Sequence, residues 1–353
     1  MKRLYTVFIS CICFLFICAA ASAQNWKDLA APKKGTKWIQ PSQGSPAQPV
    51  WGHANGLQVG LSPLPGPRGL LRIYTPYLGH QEAEVMNFIA FEPIVKRGDH
   101  RGLSELEMST LDNKRGKRFW SANDSTSTIP AREDIPATGI IEKTAGAETL
   151  TVYVFSEAFD NGAIVYTRLR FYEDQPYEVE ITTYTAPGSK ALDHFIVTAT
   201  MGNYARLRDL YLQTGTVSSG TLWPGYKEDG FTAHAHFPVS SFIKNRNGVA
   251  YFIAAPNEKN PSVAAYASGT NDHWKYYGKK ATQYWYSKNN NEKMKGLVNG
   301  RYAYWASQSP IPGGIAYENF ELKAPFVQGC SYVFGVSPLT ANDFVKKIKN
   351  KRK

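Results

Sequence analysis

The run LWPGYKEDGFTAHAHFP (222–238) sets His234 and His236 two positions apart in a segment of strand character. Side chains alternate across a strand, so Thr232, His234 and His236 share one face while Ala233, Ala235 and Phe237 share the other. The apolar face belongs to the core, which turns both imidazoles outward. Three readings of the pair stay open: ordinary solvated sheet, the start of a divalent-metal site, or the floor of an active site. Neutral imidazole ligates zinc, copper or iron well, but spacing fixes no third ligand nearby. As a catalytic group, an imidazole abstracts protons near neutral pH. The preceding loop adds the flat apolar faces of Trp223 and Tyr226 and the polar ends of Lys227 and Asp229, and the Tyr226 phenol can donate a proton.

Carboxylates supply a second set of candidates. In KRGDHRGLSELE (96–107), His100, Arg101, Glu105 and Glu107 fall in one turn and strand, with the two glutamates on a common face. This reads as a solvated turn, or as a carboxylate pair with an Arg clamp for a polar ligand. In NGRYAYWASQSPIPGGIAYENFEL (299–322), an Asn-Gly turn launches a strand carrying Arg301 and Trp305, and a second strand sets Glu318 among Ala316, Phe320 and Leu322. A carboxylate on an apolar face is uncommon unless paired, which points to an Arg301–Glu318 ion pair or to a proton-transfer acid with a tuned pKa. Aromatic residues make up 13% of the chain, and Trp274, Tyr277, Trp285 and Trp305 exceed what alternating burial needs. Such faces suit the CH faces of sugars.

The elements that must position these groups read as strands. Runs such as MNFIAFEPIV, TLTVYVFSEA, AIVYTRLRFYE, PYEVEITTYTA, GVAYFIAA and SYVFGV are rich in β-branched and aromatic residues and are bounded by turn signals. Asn-Gly recurs at 55–56, 161–162, 247–248 and 299–300, as expected of antiparallel hairpins. Helical periodicity is confined to LTANDFVKKIKNK at the C-terminal end, and no fixed repeat suggests a propeller. The expected fold is all-β, a large antiparallel β-sandwich, over residues 68–339. A Pro/Gly-rich irregular arm over 24–67 precedes it, and a short helix and basic tail over 340–353 follow.

The first 23 residues, MKR followed by an apolar run and Ala21-Ser22-Ala23, have the order of a cleaved signal peptide, so a periplasmic or secreted protein is expected. Ile17 before Cys18 argues against lipoprotein processing. Cys11, Cys13 and Cys18 lie in that leader, leaving Cys330 without a disulfide partner. The formal charge of +11 is concentrated at the end. Six basic residues occupy 346–353, and residues 24–345 hold 32 basic against 29 acidic side chains, so nucleic acid is not an expected partner.

MNFIAFEPIV with RGLSELE, YKEDGF with HAHF, and the 299–322 segment together make the mature chain similar to a family of secreted proteins that accompany polysaccharide-degrading systems of Bacteroidota-type bacteria. The succession of antiparallel strands also resembles the super-sandwich of aldose mutarotases and polysaccharide-lyase β-domains. These resemblances imply a carbohydrate context and an architecture. No catalytic motif of either group is matched residue by residue, so no role is carried over.

The residues themselves lead to β-elimination on a uronate-containing oligosaccharide or polysaccharide, by a lyase or a terminal-uronate dehydratase. His234 or His236 would be the base, Tyr226 the acid, and Arg101 or Arg301 would neutralise the carboxylate. Trp223, Lys227, Trp274, Trp285, Trp305, Glu105 and Glu107 would complete substrate binding. No cofactor is required, though a divalent metal at His234/His236 stays open. The alternatives are a glycoside hydrolase using two of Glu105, Glu107 and Glu318, and a non-catalytic glycan-binding protein.

Overall fold

The computed structural model describes residues 37–44, 48–79, 85–98, 100–128, 135–144, 146–200, 206–258, 265–266, 268, 281–289, 291–305 and 307–350. Residues 1–36, Trp274 and Tyr277 lie outside them. Five strands open the described chain: β1 (Trp38–Ile39), β2 (Val50–His53), β3 (Gln58–Gly60), β4 (Leu71–Tyr74) and β5 (Val85–Val95). The segment expected to be irregular therefore contributes strands, because Trp51 and Val59 alternate into the core and the 55–56 Asn-Gly turn closes a hairpin. Next come β6 (Phe119–Ala122), β7 (Ile140–Thr144), β8 (Ala147–Ser156), β9 (Val165–Tyr172) and β10 (Glu178–Thr185). Strands β8, β9 and β10 form the consecutive antiparallel set their alternation predicts.

The remaining strands are β11 (Leu192–Thr200), β12 (Leu207–Leu212), β13 (Gly215–Ser218), β14 (Ala235–Pro238), β15 (Ile243–Lys244), β16 (Ala250–Pro256), β17 (Thr282–Ser287), β18 (Lys295–Arg301), β19 (Ala316–Pro325) and β20 (Cys330–Ser337). A one-turn helix α1 (Ser219–Leu222), the terminal α2 (Ala341–Asn350) and two 3-10 turns (Pro76–Leu78 and Val239–Ser241) complete the described elements. Among the described residues no helix is long and apolar enough to cross a membrane.

All pairings are antiparallel, and they make a large β-sandwich of two sheets. The first has nine strands in the order β1-β2-β3-β4-β5-β11-β19-β18-β14. The second has eleven, with β13-β12-β16-β17-β20-β10-β9-β8-β6 as its path and β15 and β7 attached to β16 and β8. The core lies between the sheets. Phe91, Val197, Phe320 and Leu322 enter it from the first sheet, and Leu169, Ile181, Trp285 and Phe334 from the second. Each such side chain contributes ~1.5–3 kcal/mol on burial. Cys330 is a buried free thiol, so packing rather than a disulfide holds the described fold.

The central strands of the first sheet are covered on both faces. On β5, Ile89 and Phe91 face the core while Phe88, Ala90 and Glu92 face away from it. Parity changes on β19. Asn299 of β18 opposes Asn319, but Gly300 opposes Tyr317, so Glu318 is the extra residue of a β-bulge. Tyr317 then points into the core, and Ala316 packs with Tyr304 and Ile311 in a separate cluster. Glu318 is thereby moved off the apolar face expected for it. The 299–300 Asn-Gly pair sits at this bulge inside β18 and launches no new strand.

Candidate functional site

The outward face of the first sheet carries a row of polar residues across neighbouring strands. Thr198 of β11 lies opposite Glu321 of β19, Glu321 lies opposite Leu297 of β18, and Leu297 lies opposite His236 of β14. Thr198 also donates its hydroxyl to Glu92 of β5 at 2.8 Å. Arg101 reaches this row from the loop after β5. Its guanidinium lies 3.0 Å from Glu92 and 2.7 Å from Glu321, both buried. His234 meets the other oxygen of Glu321 through Nε2 at 3.1 Å.

Backbone contacts pin the Arg101 loop. The Gly102 N–H donates to Pro93 at 2.9 Å, the Phe91 N–H to the Ser104 hydroxyl at 3.0 Å, and that hydroxyl to the Gly69 carbonyl at 2.6 Å. Gly69 has φ of +71°, and a Cβ there would overlap the Ser104 carbonyl, so this close approach requires glycine. Within the pinned turn the two glutamates part. Glu105 turns toward the row, and its Oε2 is buried with no hydrogen-bond partner. Glu107 accepts the Leu103 and Asp160 N–H groups and pairs with the fully buried Lys117 at 3.2 Å. Its role is to hold the loop; the expected common face is absent because the segment is a turn and not a strand.

Together these groups form a cleft of about 540 Å³. Glu92, Glu318, Asn299, Asn319 and Thr200 line it from the sheet, and Arg101, Glu105, Leu106, Arg115, Phe231, His234 and Trp305 line it from the loops. Phe231 and Trp305 stack with centroids 6.2 Å apart, and both stay partly exposed. Arg301 lies 4.9 Å and 4.7 Å from their centroids and donates to the Asp229 carbonyl at 3.3 Å, which ties the two rings to β18.

Burial and charge pull the carboxyls apart. Desolvation raises Glu318 to about 7, with Arg301 opposing the rise and Glu105 adding to it. Burial likewise lifts Glu105 to about 7, and the charge of Glu321 pushes the same way. Glu92 is driven well above the carboxylate range, first by burial and then by Glu321. For Glu321 burial also acts upward, but hydrogen bonds and charge from His234 and Arg101 outweigh it and hold the group ionised. With Nε2 of His234 bonded to Glu321, Nδ1 is the ring nitrogen left free of that bond.

Of the residues singled out from the sequence, the fold gathers Arg101, Glu105, His234, Trp305 and Glu318 in this cleft, with Arg301 behind its aromatic wall. The other described candidates lie elsewhere. His236 is exposed on β14, with its ring 6.5 Å from that of His234, and does not line the cleft. Burial, His234, Lys295 and Lys323 lower its pKa. Tyr226 sits in a turn beside Glu228 and Asp229 and is not part of the lining. Lys227 is exposed on that loop, and Trp223 packs edge-on against Tyr317 at 6.0 Å. Trp285 is fully buried and donates to the Phe320 carbonyl at 2.9 Å, so it is a core residue and not a sugar platform. Among the described residues no three His, Cys, Asp or Glu side chains converge to hold a metal. Glu92, Glu321, Arg115 and Phe231 were not singled out; the signal for Glu92 is a lone carboxylate within the otherwise largely apolar strand β5, whereas Glu321 shares β19 with Glu318, Asn319 and Lys323.

No family model matches the chain, and no curated protein matches it. A solved structure described as the crystal structure of HI1317 aligns with 86% of this chain and 100% of its own, at 8% identity and a TM-score of 0.27, a likeness too slight to carry an argument.

Proposed function

We propose that the protein is an exported carbohydrate-active lyase that performs β-elimination on a uronate residue of an oligosaccharide. The observation that carries this reading is the gathering of unlike groups in one cleft: His234 held on the buried Glu321 at 3.1 Å, with Glu105 and Glu318, whose values burial raises to about 7, lining the same space. Nδ1 of His234 takes the C5 proton, and the C5–H electron pair forms the C4–C5 double bond. The C4–O bond breaks with its pair on the leaving oxygen, and the neutral carboxyl of Glu105 protonates that oxygen. Phe231 and Trp305 offer faces to the ring, and Asn299 and Asn319 offer groups to its hydroxyls. The acid is thus a carboxyl in place of the expected Tyr226. Export rests on the leader over residues 1–23.

Incubation with uronate-containing and neutral oligosaccharides, followed by ultraviolet absorbance and product mass, tests the proposal. Unsaturated uronate products support it. Saturated products carrying one added water would favour the second reading, hydrolysis by Glu105 and Glu318, which the shared burial of these two carboxyls favours. Tight binding without any product would leave a glycan-binding protein.

A further inference from the structure

We infer that Arg115 recognises the carboxylate of the substrate at the mouth of the cleft, an assignment that rests on the function proposed above. The other cations of the site are already engaged. Arg101 spans Glu92 and Glu321, and Arg301 is buried against the rings of Phe231 and Trp305, with one nitrogen on the Asp229 carbonyl and its Nε and Nη1 without hydrogen-bond partners but sealed from solvent. Arg68 pairs with Asp112 and donates to the carbonyls of Lys114, Arg115 and Gly116 at 3.0, 3.3 and 2.8 Å.

Arg115 differs in both respects that matter. Its side chain is exposed, lines the cleft, and lies 5.6 Å from the centroid of Trp305. Among the described residues no carboxylate forms an ion pair with it. The backbone that carries it is rigid all the same, because the fork of Arg68 holds three successive carbonyls around it. A planar guanidinium on a fixed backbone, beside an aromatic face that can take a sugar ring, matches a ring-borne carboxylate in two parallel hydrogen bonds. Arg115 and not Arg101 or Arg301 is then the group that selects a uronate over a neutral sugar.

The test compares a uronate-terminated disaccharide with its methyl ester, on the native full chain and on Arg115→Ala and Arg115→Lys. Both kcat/KM and calorimetric Kd are measured, with melting temperatures to confirm that the variants fold. The native protein should prefer the acid. Arg115→Ala should reduce that acid-to-ester preference by roughly 10–100-fold, the range for a hydrogen bond to a charged group. Arg115→Lys should fall between, since it keeps the charge and loses the fork. A preference unchanged within about twofold in both variants would overturn the assignment. If the native protein binds the acid tightly without turning it over, and Arg115→Ala loses that binding margin, recognition by Arg115 stands and the elimination falls. If elimination is seen but the preference does not move, the reverse holds.

Discussion

Both sheets bury carboxylates on their outward faces, yet the two faces treat them oppositely. On the second sheet, Glu178 accepts the hydroxyls of Tyr284 and Tyr286 at 2.7 and 2.8 Å. Glu180 accepts Tyr172 at 3.0 Å and Thr182 at 3.2 Å and pairs with Lys288. Burial would raise Glu180, but Lys288 and the hydroxyl donors outweigh it and bring the group below its ordinary value. Over the first sheet, Glu318 is buried as deeply and Glu105, on the loop above it, is half-buried, and both end near 7. Depth of burial therefore does not poise a carboxyl for proton transfer; the allocation of donors does. The second sheet gives Glu180 its own cation, whereas Arg101 is shared between Glu92 and Glu321.

The largest expected contrast is in turnover. His234→Ala and Glu105→Gln should each lower kcat by roughly 10²–10⁴, the usual contribution of an acid–base group. Glu180→Gln, at a more deeply buried site, should leave kcat within about threefold. Steady-state kinetics with melting temperatures for all three variants check this, and equal losses on both faces would erase the distinction.

Stability should separate the faces next. Arg101→Met leaves Glu92 and Glu321 buried without their common cation and should cost ~3–5 kcal/mol, read from urea unfolding. Lys288→Met removes a side chain that is 46% exposed, so solvent screening holds its cost to about 1 kcal/mol. A reversed order would mean that the Arg101 bridge is better solvated than its geometry implies.

The pH dependence of stability should have opposite signs. Glu318 has a raised folded value, so its contribution is complete below 4.5 and is lost as pH climbs to about 7. At about 1.4 kcal/mol per unit, this costs the folded protein roughly 3 kcal/mol at pH 8. Glu318→Gln should therefore be more stable than the native protein by about that amount at pH 8 and equal to it at pH 4. Glu180 is depressed on folding, so its stabilisation is present above the unfolded value and is lost as pH falls through the folded one. Glu180→Gln should be the less stable protein at pH 8, by a margin that shrinks in acid. Destabilisation of Glu318→Gln at pH 8 would mark a tight ion pair with Arg301 and remove Glu318 from the poised set.

Much of this arrangement was legible in the chain. Strand alternation between turn signals placed β5, β8–β11, β16, β17, β19 and β20, and polar residues set against local pattern brought out Arg101, Glu105, His234, Trp305 and Glu318. What stayed hidden has specific physical causes. Glu318 was assigned to the core because alternation carries no sign of a bulge, and one extra residue reverses the parity of everything before it. Trp285 looked like surplus aromatic surface because two-sheet packing depth is not a local property. Glu92 lies in a near-continuous apolar run, where a strand buried on both faces gives no alternation to break, and Glu321 reads as an ordinary outward-facing residue opposite Phe320 and Leu322 until Arg101 and His234 are folded onto it. Arg115 acquires meaning only when the Arg68 fork folds its turn over Trp305. Tyr226 was drawn in by sequence proximity to His234, but it stays outside the cleft lining, with Glu228, Arg301 and Asp229 as its charged neighbours.

The smallest effect concerns His236, which shares a face with His234 and differs in what surrounds it. His234 has a buried, ionised partner and lines the cleft; His236 is exposed, outside the lining, and near Lys295 and Lys323. Burial and those like charges lower its pKa, so at pH 7 it is neutral on both sides of the comparison with alanine, and little electrostatic change accompanies its loss. His236→Ala should leave kcat within about threefold and stability within ~0.5 kcal/mol, as for surface changes away from special features. The pH–rate profile should keep its shape, since the base assigned to the profile is His234. A hundredfold fall in kcat with the melting temperature unchanged would transfer the base to His236, and the working cleft would then extend along β14 past the edge of the pocket described above.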